Sequence, residues 1–400
     1  MTLGRRLALV LGFTQTLAWA TTFYMPTVIA GPAARWMHES PTALLGGFSW
    51  SLLIAGLTSP RVGRWIERAG GRGVLAIGTV VMAAGLLLMA AVPILAGWWI
   101  AWTIIGGGMA LGLYDATFAT IGRLLGGEAR PAIVGVTLMA GFASTVGWPM
   151  GIALLGTLGW RGTLLVYAAI QLVVNLPLIL LLVPRAVGRP PDIAVESTAS
   201  GSPGSGTAAL ILLGTFFSIR AAISAVVSVH ALRLLQGLGL TAGAAVGVAA
   251  LFGPSQVFGR VMEWAFARRL DPFGASLLGA VLLPLGVAAL LAGAPAAAFA
   301  VGYGMSNGIL TISRGTLPMY LFGSRGYATR LGRLALPQLL AQAIAPTALT
   351  PLVLAWPAAR IFGTLGVAAL AAFACLLALR DRRCFVIDTE AAEGYGDRRG

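Results

Sequence analysis

SPRVGRWIERAGGR, residues 59–72, gathers four arginines and one glutamate in a chain of which only 10% is charged. On both sides of it the sequence turns apolar for roughly twenty residues, the length that crosses a bilayer as a helix. The stretch therefore reads as a short polar turn between two membrane spans, and the rest of the chain repeats that alternation. Of its 400 residues 58% are hydrophobic, and the mean hydropathy is +0.88. A water-soluble protein of this length would need charged surface that this sequence lacks.

Twelve apolar runs are predicted to span: 7–30, 42–59, 73–92, 98–120, 132–157, 162–183, 207–230, 241–257, 273–293, 295–314, 334–355 and 358–380. The first begins just after MTLGRR and is too long for a signal-peptide core, so it is expected to be retained. Between the sixth and seventh lies VPRAVGRPPDIAVESTASGSPGSG, whose Pro, Gly and Ser content marks a linker near the midpoint. The expected organisation is a six-helix bundle over 1–183, a cytoplasmic linker over 184–206, a second six-helix bundle over 207–380 and a cytoplasmic tail over 381–400.

The positive charge sets orientation. The formal net charge of +14 comes from 27 arginines, no lysine and 13 acids. With the N-terminus cytoplasmic, 21 arginines fall on the cytoplasmic side, four on the other side and two inside spans. That asymmetry predicts that both termini are cytoplasmic. The arginines punctuate apolar runs and form no basic face with interleaved aromatics, so nucleic acid is not an expected partner. Cys375 and Cys384 form no CxxC pattern, and no His, Cys and acid cluster has metal-ligand spacing. No phosphate-binding loop appears, and no nucleophile, base and orienting group assemble, so neither a cofactor nor an enzyme activity is expected.

The stretch at 59–72 also has a partner. A shift of 196 residues lays Gly63-Arg64-Trp65-Ile66-Glu67 on Gly259-Arg260-Val261-Met262-Glu263, and Gly108-Met109 on Gly304-Met305. Half-length similarity of this kind points to duplicated halves around a site near the midplane. SPRVGRWIERAGGR resembles the signature of the major facilitator superfamily between helices 2 and 3, with Glu67 where that family has Asp. The second copy keeps Gly259, Arg260 and Glu263 but lacks the later glycine. The resemblance implies an all-α membrane protein of twelve helices in two pseudo-symmetric bundles, working as a secondary transporter. It also implies that Gly63, Glu67, Arg68 and Arg72, with Gly259, Arg260 and Glu263 of the second copy, form a conformational latch near the cytoplasm.

Inside the fifth span, AGFASTVGWPMG carries Gly141, Gly147, Pro149 and Gly151, which favour close packing and a bend. It partly resembles the Gly-Pro motif of antiporters in the same superfamily. GFASTVGWPM and ISRGTLPMYLFG resemble a bacterial branch near arsenite-efflux members, which implies a bacterial inner-membrane location.

Ionisable residues inside spans are the candidates for chemistry, because lipid makes them expensive. They are Asp115, Arg220 and Arg314, on the fourth, seventh and tenth spans, and the resemblance implies that these spans line a cavity with the first. The first contributes Gln15, Trp19 and Tyr24. Asp115 is the candidate proton-coupling residue, since a carboxyl beside Arg can alternate between paired and protonated states. An Asp115–Arg314 pair could be static or switching. His230 reads as interfacial, and His38 lies in a loop beside Glu39.

Two Arg against one Asp favour an anionic guest. The expectation is a monomeric, proton-coupled secondary transporter of a small organic anion or amphipathic weak acid, with export preferred. Arsenite or organoarsenical efflux is the alternative within the family, and a non-transporting membrane sensor or scaffold is the alternative outside it.

Overall fold

The computed structural model describes residues 2–185, 204–267 and 269–380. Nearly all of the expected linker, the whole expected tail and Cys384 lie outside the described residues. The first half contains α1 (Leu3–Thr21), α2 (Pro26–Met37), α3 (Pro41–Ala69), α4 (Gly71–Ala91), α5 (Leu95–Gly112), α6 (Tyr114–Leu125), α7 (Ala129–Ala140), α8 (Ala143–Ala169) and α9 (Leu176–Leu182). A π-helical segment, Ile170–Asn175, joins the last two. The second half contains α10 (Gly204–Gln236), α11 (Ala242–Ala250), α12 (Phe252–Phe266), α13 (Pro272–Leu291), α14 (Ala296–Phe322), α15 (Tyr327–Ala355) and α16 (Ala358–Ala378).

Eight helical stretches among the described residues are long and apolar enough to cross a membrane, and one of them, Leu95–Leu182, takes in the fourth and fifth predicted spans and nearly all of the sixth, with backbone breaks at Leu113, at Gly141–Phe142 and at Gly159, whose φ is 68° and ψ 178°. The chain is an all-α, multi-pass membrane protein.

Span ends differ from the sequence reading in instructive ways. The polar stretch at 59–72 is not a loop. α3 continues through it to Ala69, because GRWIERA contains no residue that stops a helix, and only Gly70, at φ 82° and ψ 164°, interrupts before α4 begins. The first predicted span is divided at Thr22–Met25, and the fourth breaks at Leu113. The fifth breaks at Gly141–Phe142, ahead of Pro149, and α8 then runs on through that proline. Backbone groups freed in lipid survive where neighbouring helices satisfy them, so breaks follow packing more than prolines.

By contact the chain divides into two compact units, Met1–Ala186 with Ala328–Ile344, and Val187–Tyr327 with Ala345–Gly400. In the first, α1 packs on α7 and α8, α5 packs between α3 and α4, and α6 touches α3 and α4. Its interior is aromatic: Trp98, Trp102, Phe118 and Tyr167 are fully buried, and Trp98 Nε1 donates to the carbonyl of Leu44 at 2.9 Å. In the second, α14 packs on α12 and α13, and α16 on α10 and α13. Its core combines Val226, Leu235, Leu283, Phe299 and Phe362. Lipid supplies no hydrophobic drive between helices, so such seams depend on close packing.

Candidate functional site

Three places in the two units gather the residues that the sequence singled out. The first is the seam of α3 with the start of α15. A methyl at Gly63 would collide with the carbonyl of Ala328, and one at Gly332 would collide with the carbonyl of Ser59, so these two glycines bring the helix backbones into contact. One turn beyond Gly63, Glu67 is half-buried, and its Oε2 accepts from the backbone N–H of Ala328 at 3.1 Å. α15 has no acid in its first turn and no side-chain cap of its own. Glu67 supplies from another helix the negative charge that a helix N-terminus attracts. Arg330, in that same first turn, lies within electrostatic reach of Glu67. Arg68 is exposed and Arg72 half-buried.

The second copy of the stretch is built differently. Gly259 packs on α14, where a methyl would stand 2.6 Å from the carbonyl oxygen of Met305. Arg260 and Glu263 are buried, at 7% and 6% exposure.

The second place surrounds the break in the fourth span. Gln15 Nε2 donates to the Gly112 carbonyl at 2.7 Å, capping the end of α5, and Trp19 Nε1 donates to Gln15 Oε1 at 3.2 Å. The Trp19 ring rests on Tyr114, with centroids 4.7 Å apart. Asp115 follows in the first turn of α6, where a carboxylate complements the helix dipole. It lines a cavity of about 10 Å³ with Ser59, Gly63, Ala328 and Gly332, enough for roughly one water. Gln15 and Trp19 are thus brought together at the break, and Asp115, the residue after Tyr114, borders the glycine seam. Tyr24 sits apart, in the non-helical Thr22–Met25 segment against Phe23 and Trp148. Gly147 packs on Ala20 of α1 and Gly151 on the hydroxyl end of Tyr167, whereas Gly141 lies at the break itself.

The third place is Arg220, 5% exposed on α10. Its Nη2 donates to Ser306 Oγ at 2.9 Å and to Asn307 Oδ1 at 3.2 Å, both on α14. Ser306 in turn donates to the carbonyl of Gly279 on α13, which fixes its oxygen toward the guanidinium. Asn307 Nδ2 donates to Ser224 Oγ at 3.3 Å, and the Tyr303 hydroxyl donates to the carbonyl of Ser224 at 3.2 Å. Nε and Nη1 of Arg220, three N–H bonds in all, have no hydrogen-bond partner, and among the described residues no carboxylate pairs with it. Arg314 lies two turns beyond Asn307 on α14 and is half-buried.

Sequence reasoning missed Ser224, Tyr303, Ser306 and Asn307. The available signal was Ser224 one turn after Arg220, and an adjacent Ser-Asn pair in an apolar run. It also missed Gln171 and Asn175, both buried in the π-helical segment, where Gln171 donates to Thr21 Oγ1 at 2.8 Å and Asn175 donates to the Thr14 carbonyl at 3.3 Å. His230 shares the Pro346 carbonyl region with Thr350, a packing role. His38 ends α2 in the left-handed region. Cys375 is half-buried in α16, and among the described residues no His, Cys, Asp and Glu cluster could hold a metal ion.

No protein-family model and no curated protein sequence matches the chain. Solved structures do match. The human organic anion transporter MFSD10 (TETRAN) aligns with a TM-score of 0.71 at 17% identity, over 94% of this chain and all of that one. The proton:xylose symporter XylE, solved with 6-bromo-6-deoxy-D-glucose, aligns with a TM-score of 0.63 at 14% identity, over 95% of this chain and 94% of that one. The chain therefore has the fold of the major facilitator superfamily.

Proposed function

We propose that the protein is a secondary active transporter that moves a small organic anion or amphipathic weak acid by alternating access of two six-helix halves. The observation that carries the reading is Arg220, a buried cation with unused donors and no counter-ion among the described residues. An unpaired charge in low dielectric is costly, and an anionic guest removes the cost. The organic anion transporter that shares the fold supports the same solute class, and the proton symporter supports coupling to protons.

Asp115 is the proposed proton-coupling residue. Its carboxyl borders the Gly63–Gly332 seam, so a change in its charge acts where two helices are in closest contact. Glu67 is the proposed latch, holding the start of α15. The arginine distribution supports cytoplasmic termini, a bacterial inner membrane rests on the resemblance of GFASTVGWPM and ISRGTLPMYLFG to a bacterial branch, and export is the favoured direction.

Proteoliposomes with an imposed pH gradient test the reading. Wild type should accumulate a radiolabelled monocarboxylate, and Asp115→Asn should lose accumulation while keeping solute exchange. Arg220→Lys retains charge but loses planar bonding, so binding should weaken about tenfold, the equivalent of one charge-assisted hydrogen bond. Accumulation by Asp115→Asn at the wild-type level would remove Asp115 from coupling. Equal binding of neutral and anionic solutes to wild type and Arg220→Ala would remove the anion.

A further inference from the structure

The Arg220 cluster contains more than an unpaired cation. Its hydrogen bonds run in one direction. Arg220 donates to Asn307 Oδ1 and Asn307 Nδ2 donates to Ser224 Oγ. Tyr303 spends its proton on the Ser224 carbonyl, which leaves the Ser224 hydroxyl to donate across 3.3 Å to the Tyr303 oxygen. Ser306 spends its proton on Gly279. Every hydroxyl proton in the cluster is committed, and the donors left over are the three N–H bonds of Arg220 and the second N–H of the Asn307 amide. The cluster is also more exposed at one pair of its members than at the others. Arg220, Ser306 and Tyr303 are buried, whereas Asn307 and Ser224 are half-buried. Asn307 makes the longer of the two bonds to the guanidinium, 3.2 Å against 2.9 Å.

We propose that the Asn307 carboxamide holds the place of the solute's head group, and that a carboxylate enters by displacing its oxygen from Arg220. An ionised carboxylate then takes the vacated N–H with those already unused, and the buried charge is neutralised. Two selection rules follow. One fixed positive charge with no ionised acceptor beside it suits a monoanion and repels the ammonium of a zwitterion. A site whose free groups are all donors takes a head group that only accepts, so a carboxylate or sulfonate binds and the corresponding amide or alcohol does not. The inference rests on the anion reading of this site, and it names the head group as a monoanion recognised without help from neighbouring hydroxyl or amino groups.

The test uses the full-length protein in nanodiscs and titrates benzoate, octanoate, benzamide and phenylalanine, following heat and tryptophan fluorescence. Benzoate and octanoate should bind, and benzamide and phenylalanine should not. Asn307→Asp keeps the shape of the side chain and places a permanent carboxylate against Arg220. Benzoate affinity should then fall on the order of 100-fold, as when one partner of a buried charge pair is already taken, while thermal stability holds or rises. Asn307→Ala should bind benzoate as well as wild type or a few-fold tighter. If Asn307→Asp does not fold, Asn307→Ala decides the matter, and loss of binding there overturns the proposal.

Wild-type affinity in Asn307→Asp overturns the displacement idea, and equal binding of phenylalanine overturns the head-group rule. In both of these cases Arg220→Lys still reports on the anion reading. Absence of any Arg220-dependent binding by either carboxylate overturns both.

Discussion

Glu67→Gln isolates the charge at the α3–α15 seam. Glutamine keeps the size of the side chain and an oxygen that can accept from the Ala328 N–H, so the 3.1 Å contact survives and only the negative charge is lost. A carboxylate at a partly buried helix N-terminus contributes about 0.3–2 kcal/mol. A charged acceptor exceeds a neutral one by about 1 kcal/mol, part of the same effect. Together these give about 1–2 kcal/mol, which shifts a two-state equilibrium by roughly 5–30-fold toward an open seam.

The assay is pulsed electron–electron spectroscopy in liposomes. Spin labels replace Arg64 on α3 and Arg333 on α15, both exposed, after Cys375 and Cys384 are changed to alanine. Insertion should be near normal, the short-distance population should fall, and transport should be strongly impaired. An unchanged distance distribution with full transport would refute the reasoning and leave the stretch as a signal for topology alone.

Gly332→Leu places a branched side chain where even a methyl meets the Ser59 carbonyl, so the same label pair should separate and the transporter should stall with the seam held apart; a wild-type distance would show that the backbones are not in contact. Gln15→Leu strips the cap from the Gly112 carbonyl and a partner from Trp19. It should cost about 1–3 kcal/mol through an unsatisfied buried acceptor, seen as a lower melting temperature in detergent, and no change in melting would mean that the carbonyl finds another donor.

Much of the fold was legible because a bilayer imposes strict demands on a sequence. A run such as 73–92 has to be helical and about that long, and α4 spans Gly71–Ala91. Interruptions were less legible. Leu113 breaks the fourth span with no proline nearby, and what sustains the break is Gln15, 97 residues away. Pro60, Pro149, Pro284 and Pro318 sit inside helices that continue. A local pattern carries no record of which neighbour will satisfy a freed carbonyl.

The candidate site divided along the same line. Arg220 and Asp115 stood out by rarity, because charge in an apolar run is conspicuous. Ser306 and Asn307 did not, because uncharged polar residues are ordinary in spans and acquire meaning only from the helix they face. Gln171 and Asn175 face α1 through an extra-wide turn that no sequence period announces.

The single residue between α3 and α4 has a mechanical consequence. Gly70 is an elbow without slack, and the next residue, Gly71, is pinned against the Thr120 side chain of α6, the helix that carries Asp115. The linkage from Glu67 through the elbow to α6 therefore has almost no play: a displacement at one end is delivered at the other instead of being absorbed by a flexible joint. The proposed coupling of protons to solute requires such stiffness, since any give in the linkage would let protons pass without solute. Lengthening the elbow by two or three residues would let the two ends fall out of step, and on the proposed coupling it should turn pH-driven accumulation into a proton leak, measured as dissipation of an imposed pH gradient in proteoliposomes without solute.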